Sequence, residues 1–219
     1  MPRAILWLYA IVSVVNIAAN LIPSESLNLF TKPLLMPLLL FYVDKRSIGN
    51  TTLKVLLLSG AILFSWFGDV SLMYQKEETY FILGIGLFLI AHILYIVAFR
   101  KAAFQKPIWR LTDPYPFIAV GYGGIFFYLL LPAGTLTVPI IVYGIVILAM
   151  TISAYLRKEV TSLESHRLTF IGSVLFVLSD SVLAINTFKY PIEYSGIIVM
   201  TTYCAAQYFL AEGLLRHPD

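Results

Sequence analysis

The chain has 219 residues, of which 59% are hydrophobic and 12% are charged, and its mean hydropathy is +0.85. This composition argues against a water-soluble domain, whose surface needs many more polar residues. The formal charge is only +3 and the basic residues lie in short separate segments, so we do not expect nucleic acid as a partner.

Long apolar runs fill most of the sequence. A helix that spans a bilayer needs roughly 20 apolar residues, so the chain has room for about eight spans and for no separate soluble domain. The runs predict an all-α, polytopic membrane protein that forms a single integral membrane domain over residues 1–219. The predicted spans are Ala4–Ile22, Leu27–Val43, Thr52–Met73, Tyr80–Phe99, Tyr115–Leu131, Leu136–Leu156, Leu168–Thr187 and Ile192–Leu215.

The first two spans need separate arguments. The first follows Arg3, as a cleavable signal peptide would, but its long apolar stretch and the polar Asn16 and Asn20 favour a retained helix. The second is short and contains Pro33 and Pro37. We predict a helix there as well, because membrane helices tolerate proline where their neighbours satisfy the freed backbone groups.

The basic residues divide unequally between the two sides of the membrane that these spans define. The richer side receives Arg3, Lys45, Arg46, Lys54, Arg100, Lys101, Lys106, Arg110, Arg157, Lys158, Arg167 and Arg216. The other side receives Lys76 and Lys189, with Lys32 close to it. Because Lys and Arg accumulate on the cytoplasmic side, we expect both termini in the cytoplasm. The short connecting segments favour a bacterial cytoplasmic membrane.

Two aspartates lie inside predicted spans, Asp69 in the third and Asp180 in the seventh. A carboxylate within a bilayer costs about 2.5–3.5 kcal/mol on insertion scales and normally faces a bundle interior or a watery cavity. Both spans run in the same direction, which puts both aspartates in the extracytoplasmic half, where they could face each other. Alternatively, each carboxyl group bonds to a neighbouring helix, pairs with Lys32 or lies near the interface.

The spacing of the aspartates is consistent with an internal repeat that is only weakly marked. The offset is 180 − 69 = 111, and it also maps His92 onto Tyr203, but few other identities survive it. Since four spans separate the equivalent positions, the two halves of such a repeat would be parallel.

Five other polar residues are candidates for a site. Lys32 either extends its amine to the headgroups or contacts an aspartate or a lipid phosphate. His92 and Tyr95 share nearly one face of the fourth span, and Tyr203 and Gln207 are an i, i+4 pair in the eighth. All four are also suited to simple hydrogen bonds between helices.

Several catalytic motifs are missing. The chain has no GxSxG elbow, no HExxH and no P-loop, which argues against a serine lipase, a zinc protease and a nucleotide-driven pump. Its single cysteine, Cys204, cannot form an internal disulfide, and no Cys or His cluster predicts a metal site. Asn16 and Asn20 have the spacing of residues that hold helices together.

The polar motifs, taken together, resemble those of the YhhN family of membrane proteins, which includes the lysoplasmalogenases. The resemblance covers nearly the whole chain and rests on the order and spacing of the motifs rather than on any one of them. The motifs are Thr31-Lys32-Pro33-Leu34, Leu63-Phe64-Ser65-Trp66-Phe67-Gly68-Asp69, Ala91-His92-Ile93-Leu94-Tyr95, Phe176-Val177-Leu178-Ser179-Asp180-Ser181 with Asn186, and Tyr203-Cys204-Ala205-Ala206-Gln207-Tyr208.

The resemblance implies hydrolysis of the vinyl ether bond of a lysoplasmalogen, a lysophospholipid held within the bilayer, to a fatty aldehyde and glycerophospho-ethanolamine or -choline. It implies that Asp69 and Asp180 are the catalytic acid and base, in an undetermined order, and that neither an organic cofactor nor a metal is needed. Supporting or substrate-binding roles are expected for Lys32, which would meet the phosphate, and for His92, Tyr95, Tyr203, Gln207, Asn186 and Asn20.

Three alternatives remain open at this stage. A small-molecule or lipid transporter could use Asp69, Asp180 and His92 to bind protons or headgroups. An intramembrane aspartyl protease also has two helix-borne aspartates, but its GxGD and PAL signatures are not present in full. A purely structural membrane protein is the third alternative.

Overall fold

The computed structural model describes residues 2–22, 25–49, 51–101, 113–131 and 134–217. Within these ranges the chain is helical and contains no β-strand, which confirms the all-α prediction. The helices are α1 Pro2–Leu21, α2 Glu25–Arg46, α3 Leu53–Leu72, α4 Glu78–Lys101, α5 Pro114–Leu130, α6 Thr137–Tyr155, α7 Leu163–Phe188 and α8 Ser195–Leu215, with short 3-10 helices at Gly134–Leu136 and Leu156–Glu159. Lys106 and Arg110, which we counted among the cytoplasmic charges, lie outside the described residues.

Seven of these helices are long and apolar enough to cross a membrane, and α5 is the shorter exception. Its 17 residues measure about 25 Å at 1.5 Å per residue, slightly less than a hydrocarbon core of about 30 Å. The chain is therefore an integral, multi-pass membrane protein.

Each helix begins within two residues of its predicted start except α7 and α8, whose starts are set by local features that hydropathy does not report. The α7 helix starts at Leu163 rather than Leu168, since the Ser162 hydroxyl accepts a hydrogen bond from the Ser165 amide at 3.2 Å. The α8 helix starts three residues later than predicted, after Tyr194, whose φ of 57° lies in the left-handed region.

The α2 helix continues through both of its prolines. Pro37 has no N–H to donate to the carbonyl of Pro33, four residues earlier. The indole nitrogen of Trp66, on α3, donates to that carbonyl at 2.9 Å instead. A neighbouring helix therefore satisfies the backbone group that proline leaves without a partner, as predicted for this span.

Seven helices form a closed ring, and α5 lies outside it. In the ring α1 packs on α2, α2 on α3, α3 on α4, α4 on α6, α6 on α7, α7 on α8, and α8 again on α1. The α8 helix also contacts α2 and α3, and it is the most deeply buried of the seven long spans. The α5 helix packs against α6 and α7 from outside.

Glycines allow close approach where the packing is tightest. A Cβ atom at Gly213 on α8 would lie 2.8 Å from the backbone nitrogen of Thr169 on α7. A Cβ atom at Gly68 on α3 would lie 2.7 Å from the ring of Phe88 on α4. Small residues serve this purpose in membrane bundles generally, because association there depends on van der Waals contact.

The helix bounds agree with the 111-residue offset seen in the sequence. Adding 111 moves α1 to 113–132, α2 to 136–157, α3 to 164–183 and α4 to 189–212. These ranges overlap α5, α6, α7 and α8 in that order. The two most extensive helix contacts, α3 with α4 and α7 with α8, are also equivalent under the offset. The architecture thus fits two parallel halves of four helices.

A buried acidic side chain ties helices together at one end of the bundle. Glu212 on α8 is only 3% exposed, and the Tyr42 hydroxyl on α2 donates to its Oε1. Arg216 Nε donates to its Oε2 at 2.9 Å, and Arg46 lies 3.8 Å from the same oxygen. Arg216 also contacts Glu164 at the start of α7. This network joins α2, α7 and α8.

Candidate active site

A cavity of about 270 Å³ lies in the half of the bundle where α1, α3 and α7 end. Every helix contributes to its wall, and most of the lining is apolar. Phe81 and Phe88 contribute aromatic rings from α4, and Phe126 and Phe127 do so from α5. The α5 helix lines the cavity although it lies outside the ring, so the cavity reaches the outer side of the ring where α5 packs on α6 and α7.

Asp69 and Asp180 both lie on the wall of this cavity. The structure thus brings the two predicted carboxylates into one compartment, together with Lys32, Tyr203, Asn20 and Asn186. The electrostatic neighbours of Asp69 include both the Lys32 ammonium and the Asp180 carboxylate.

A chain of hydrogen bonds from two other helices, α4 and α8, ends on Asp69, which is 3% exposed. The Tyr203 hydroxyl on α8 donates to Asp69 Oδ2 at 2.7 Å. Gln207 Nε2, one turn further along α8, donates to the Tyr203 oxygen at 3.3 Å. The Tyr95 hydroxyl on α4 donates to Gln207 Oε1 at 2.6 Å. Tyr95 and Gln207 are absent from the cavity wall and act on Asp69 only through Tyr203.

A second, shorter chain ends on Asp180, whose side chain is 19% exposed. The Tyr143 hydroxyl on α6 donates to Asp180 Oδ2 at 2.5 Å. His92 Nε2 on α4 lies 2.9 Å from the Tyr143 oxygen and 3.7 Å from Asp180 Oδ2. His92 is fully buried, with its ring edge-on to Phe176 at 4.7 Å between centroids. The His92 ring therefore lies behind Tyr143 and does not line the cavity.

The two predicted asparagines on the wall also shape the structure around it. Asn20 Nδ2 donates to the carbonyl of Asn16 at 2.8 Å, and the Asn20 side chain packs directly against Gly196 at the start of α8. Asn186 Oδ1 accepts a hydrogen bond from the Ile192 amide at 2.9 Å, which fixes the connection between α7 and α8. Both side chains hold the rim of the cavity in place.

Sequence reasoning missed Tyr143, because a tyrosine in an apolar span is unremarkable there. The repeat contained the signal that could have found it, since 32 + 111 = 143 and the offset relates Lys32 to Tyr143. Five further equivalent pairs line the cavity together: Asp69 and Asp180, Leu72 and Leu183, Gln75 and Asn186, Ile85 and Gly196, and Phe88 and Val199. The two halves therefore build the wall from corresponding positions.

The contacts of the carboxylates also cross between the halves. Asp69 on α3 bonds to Tyr203 on α8, and Asp180 on α7 lies near His92 on α4. Because 92 + 111 = 203, His92 and Tyr203 are equivalent positions of the repeat. The contact of Asp180 with His92 is therefore equivalent to the contact of Asp69 with Tyr203. Each carboxylate thus depends on the helix that follows the other carboxylate.

Within the ranges that the structure describes, no three His, Cys, Asp or Glu side chains are grouped to hold a metal ion. Among the described residues, the polar groups of the cavity wall are carboxylates, tyrosine and serine hydroxyls, amides and the Lys32 ammonium.

The chain is similar to several proteins that are named lysoplasmalogenase. It is 29% identical over 164 residues to lysoplasmalogenase TMEM86B of Homo sapiens, covering 74% of this chain and 65% of that protein. It is 32% identical over 162 residues to lysoplasmalogenase TMEM86B of Rattus norvegicus, covering 74% and 63%. It is 30% identical over 156 residues to the lysoplasmalogenase of Mycobacterium bovis, covering 70% and 58%.

The chain thus spans less than two thirds of the length of these relatives. No solved structure matches it. The model of the YhhN family matches residues 27–214, which include both aspartates, Lys32, Tyr143 and the two chains of hydrogen bonds. This protein therefore belongs to the YhhN family.

Proposed function

We propose that this protein is a lysoplasmalogenase-like hydrolase, which cleaves the vinyl ether bond of lysoplasmalogens within the membrane. The observation that carries the proposal is the placement of Asp69 and Asp180 on one wall of an otherwise largely apolar cavity. The names of its relatives in Homo sapiens, Rattus norvegicus and Mycobacterium bovis support the same reaction.

The reaction needs one neutral acid and one anion. Protonation of the β-carbon of the vinyl ether uses the double-bond electrons and leaves an oxocarbenium ion. Water adds to this cation and loses a proton, which gives a hemiacetal. The hemiacetal then breaks its bond to the glycerol oxygen, which takes up a proton, while its own hydroxyl loses one. The products are a fatty aldehyde and a glycerophospho alcohol.

Two carboxyl groups that share one poorly hydrated cavity are suited to these roles. Mutual repulsion disfavours the state in which both are charged, so one proton is retained between them. The neutral carboxyl group can donate that proton to carbon, and the ionised one can stabilise the cation. In each carboxylate, Oδ2 accepts a hydrogen bond from a tyrosine hydroxyl. Within the described residues, Oδ1 of each carboxylate accepts no hydrogen bond. We infer that the Oδ1 atoms face the substrate.

The shape and lining of the cavity suit a single-chain lipid. The aromatic and aliphatic wall can hold the alkenyl chain, whose burial releases about 25 cal/mol per Å² of apolar surface. Lys32 offers the positive charge that a headgroup phosphate would need. Because α5 lines the cavity from outside the ring of helices, we infer that the alkenyl chain enters from the bilayer beside α5.

We infer further that both termini face the cytoplasm and that the cavity lies in the extracytoplasmic half of the membrane. The support is the excess of Lys and Arg on the side of the termini. A bacterial cytoplasmic membrane fits the short connections. The helices form one membrane domain over residues 1–219.

The test is an aldehyde-release assay with purified protein on a lysoplasmalogen, with the saturated ether lysolipid as the substrate control. We expect turnover of the vinyl ether alone. Asp69→Asn and Asp180→Asn should each lower kcat by at least about a hundredfold, because positioned acid–base groups contribute about 10²–10⁴-fold. Thermal unfolding in detergent would confirm that both variants fold.

Asp44→Asn is the matched control for these substitutions. Asp44 is an exposed aspartate near the end of α2, and its side chain contacts only Lys45 among the ion pairs of the described residues. We expect wild-type turnover from it. Near-wild-type turnover by Asp69→Asn or Asp180→Asn would contradict the proposal, as would cleavage of the saturated ether.

A further inference from the structure

Two asparagine side chains line one end of the cavity, where α1 and α7 end. Asn20 lies in the last turn of α1, and Asn186 lies in the last turn of α7. Both contact the beginning of α8, since Asn20 packs on Gly196 and Asn186 bonds to the Ile192 amide in the connection before that helix. The two amides therefore belong to the same end of the cavity.

Asn20 presents its amide oxygen to this end. Its Nδ2 donates to the backbone carbonyl of Asn16 at 2.8 Å and to Asn28 Oδ1 at 3.3 Å. Because a backbone carbonyl can only accept, the amide cannot turn over without placing its oxygen against another oxygen. Within the described residues Asn20 Oδ1 accepts no hydrogen bond. A Cβ atom at position 196 would lie 2.5 Å from this oxygen, so the glycine there leaves it uncovered.

Asn186 presents the opposite half of its amide. Its Oδ1 accepts a hydrogen bond from the Ile192 backbone amide at 2.9 Å. A backbone N–H can only donate, so the oxygen must face Ile192, and Nδ2 keeps its two hydrogens for other partners. In the part of the chain that the structure describes, Nδ2 donates to no group. The cavity end thus contains one fixed acceptor and one fixed donor.

The distance from the carboxylates to this end matches the length of a glycerophospho group. Asn186 follows Asp180 on α7 by 186 − 180 = 6 residues, which corresponds to about 9 Å along the helix. In a lysoplasmalogen, seven bonds separate the β-carbon of the vinyl ether from phosphorus, and they extend over about 8 Å at about 1.2 Å per bond. With the vinyl ether beside the carboxylates, the phosphate therefore reaches the depth of Asn186.

We propose, building on the hydrolase function above, that this end of the cavity recognises the glycerophosphate part of the lysolipid. Asn20 Oδ1 accepts a hydrogen bond from the free hydroxyl group on the second glycerol carbon. Asn186 Nδ2 and the Lys32 ammonium, which lies on the same wall, donate to the phosphate. An intact plasmalogen has an acyl ester in place of the hydroxyl, so it offers Asn20 no hydrogen. Asn20 is therefore the residue that distinguishes lysolipids from diradyl lipids.

The first test measures equilibrium binding of saturated ether lipids, which have no double bond to protonate. The probes are the ether lysolipid, its 2-deoxy counterpart without the hydroxyl, and the alkylglycerol without the phosphate. In wild-type protein we expect loss of the hydroxyl to weaken binding about three- to tenfold, the effect of one hydrogen bond. Asn20→Leu should bind the ether lysolipid and its 2-deoxy counterpart equally, and it should remain sensitive to loss of the phosphate.

Two further variants separate recognition of the hydroxyl from a defect in folding. Asn28→Leu removes an amide of the same cluster that does not line the cavity, and the Asn16 carbonyl still holds Asn20, so the discrimination should persist. Gly196→Ala retains Asn20 and should abolish the discrimination, because the new Cβ atom displaces Oδ1. If Asn20→Leu does not fold in detergent, Gly196→Ala decides the same question.

The second test concerns the fixed donor. Asn186→Asp keeps an oxygen that accepts from the Ile192 amide and replaces the nitrogen that faces the cavity by a second oxygen. It should weaken binding of the ether lysolipid at least about tenfold, because a hydrogen bond to a charged phosphate is lost and a negative charge replaces it. Binding of the alkylglycerol should change less than about threefold.

Each outcome of these measurements decides the proposal. It would be overturned by equal penalties for loss of the hydroxyl in wild type and Asn20→Leu, by no penalty in wild type, or by equal effects of Asn186→Asp on the probes with and without phosphate. No turnover is needed, so the proposed activity is tested separately. Discrimination among the probes without cleavage of lysoplasmalogen would refute the hydrolase alone, and cleavage without discrimination would refute the recognition of glycerophosphate alone.

Discussion

At the scale of single residues, the cavity combines groups that a bilayer normally excludes. Two carboxylates, an ammonium and several hydroxyls share a wall with phenylalanine and leucine side chains. Each polar group is costly there unless it is paired or hydrogen-bonded. The tyrosines at 143 and 203 meet that requirement for the carboxylates, and they leave one oxygen of each without a hydrogen bond from the described residues. Under the proposed function, these contacts stabilise the carboxylates and leave one oxygen of each for the substrate.

Lys32 provides a prediction at this scale, because it has two candidate partners, Asp69 and a headgroup phosphate. Lys32→Met should raise KM for a lysoplasmalogen about tenfold, the effect of losing one hydrogen bond to a charged group. The same variant should leave KM for an alkenylglycerol, which has no phosphate, nearly unchanged. Steady-state aldehyde release on the two substrates measures both values.

Equal rises of KM on the two substrates would show that Lys32 does not bind phosphate and acts through Asp69 alone. Lys32→Arg is the conservative comparison. It keeps the positive charge, so it should retain most of the affinity for the phosphate-bearing substrate.

Some polar residues of the candidate site could be predicted from the sequence, and others could not. Asp69, Asp180 and His92 were recognisable because ionisable groups are rare in membrane spans and seldom lack a function. Tyr143 was not, since aromatic residues are common in such spans and only the weakly marked repeat related it to Lys32. The convergence of the carboxylates depends on how helices pack, which hydropathy does not report.

At the scale of helices, the sequence likewise predicted some features and not others. Eight apolar runs form eight helices, because a single segment in lipid can pair its backbone N–H and C=O groups internally only as a helix. Their ends were less predictable, because the Ser162 hydroxyl caps the start of α7 and the left-handed backbone at Tyr194 precedes α8, and hydropathy reports neither. The position of α5 outside the ring had no signal in the sequence, since its composition is as apolar as that of its neighbours.

The contact between α7 and α8 provides a prediction on stability. Gly213→Ala would place a Cβ atom 2.8 Å from the backbone nitrogen and 2.6 Å from the methyl carbon of Thr169. Because backbone cannot move aside as a flexible side chain can, we expect a loss of about 1–3 kcal/mol in the free energy of unfolding. Unfolding in detergent by a chemical denaturant measures this loss.

Gly86→Ala is the matched control for this change. Gly86 lies inside α4, and a Cβ atom there would meet nothing within 4 Å. Alanine is the better helix former, so this variant should be as stable as the wild type or more stable. A similar loss in both variants would show that close packing of α7 on α8 is not the cause.

At the scale of the whole molecule, seven helices enclose a site and the eighth covers its side. The cavity opens in one half of the bundle, and the Glu212 network joins helices at the opposite end, where α2 and α8 end. One half therefore contains the cavity, while in the other half the Glu212 network joins the helices. The orientation of the molecule decides which face of the membrane supplies the headgroup.

That orientation leads to a prediction on labelling in intact cells. Lys76→Cys places a thiol in the exposed turn between α3 and α4, and Asp44→Cys places one near the end of α2. A membrane-impermeant maleimide should label Lys76→Cys in intact cells and Asp44→Cys only after permeabilisation. The wild type, whose single Cys204 is buried, should remain unlabelled. The reverse pattern would place the cavity in the cytoplasmic half.

The bond between Tyr203 and Asp69 joins residues 134 positions apart in the chain. At synthesis rates of about 5–20 residues per second, the ribosome completes Tyr203 roughly 7–27 s after Asp69. During that interval the carboxylate has entered the membrane without the hydroxyl that later stabilises it. The last helix thus completes the hydrogen bonding of the third, and until α8 has been made Asp69 lacks the Tyr203 hydroxyl.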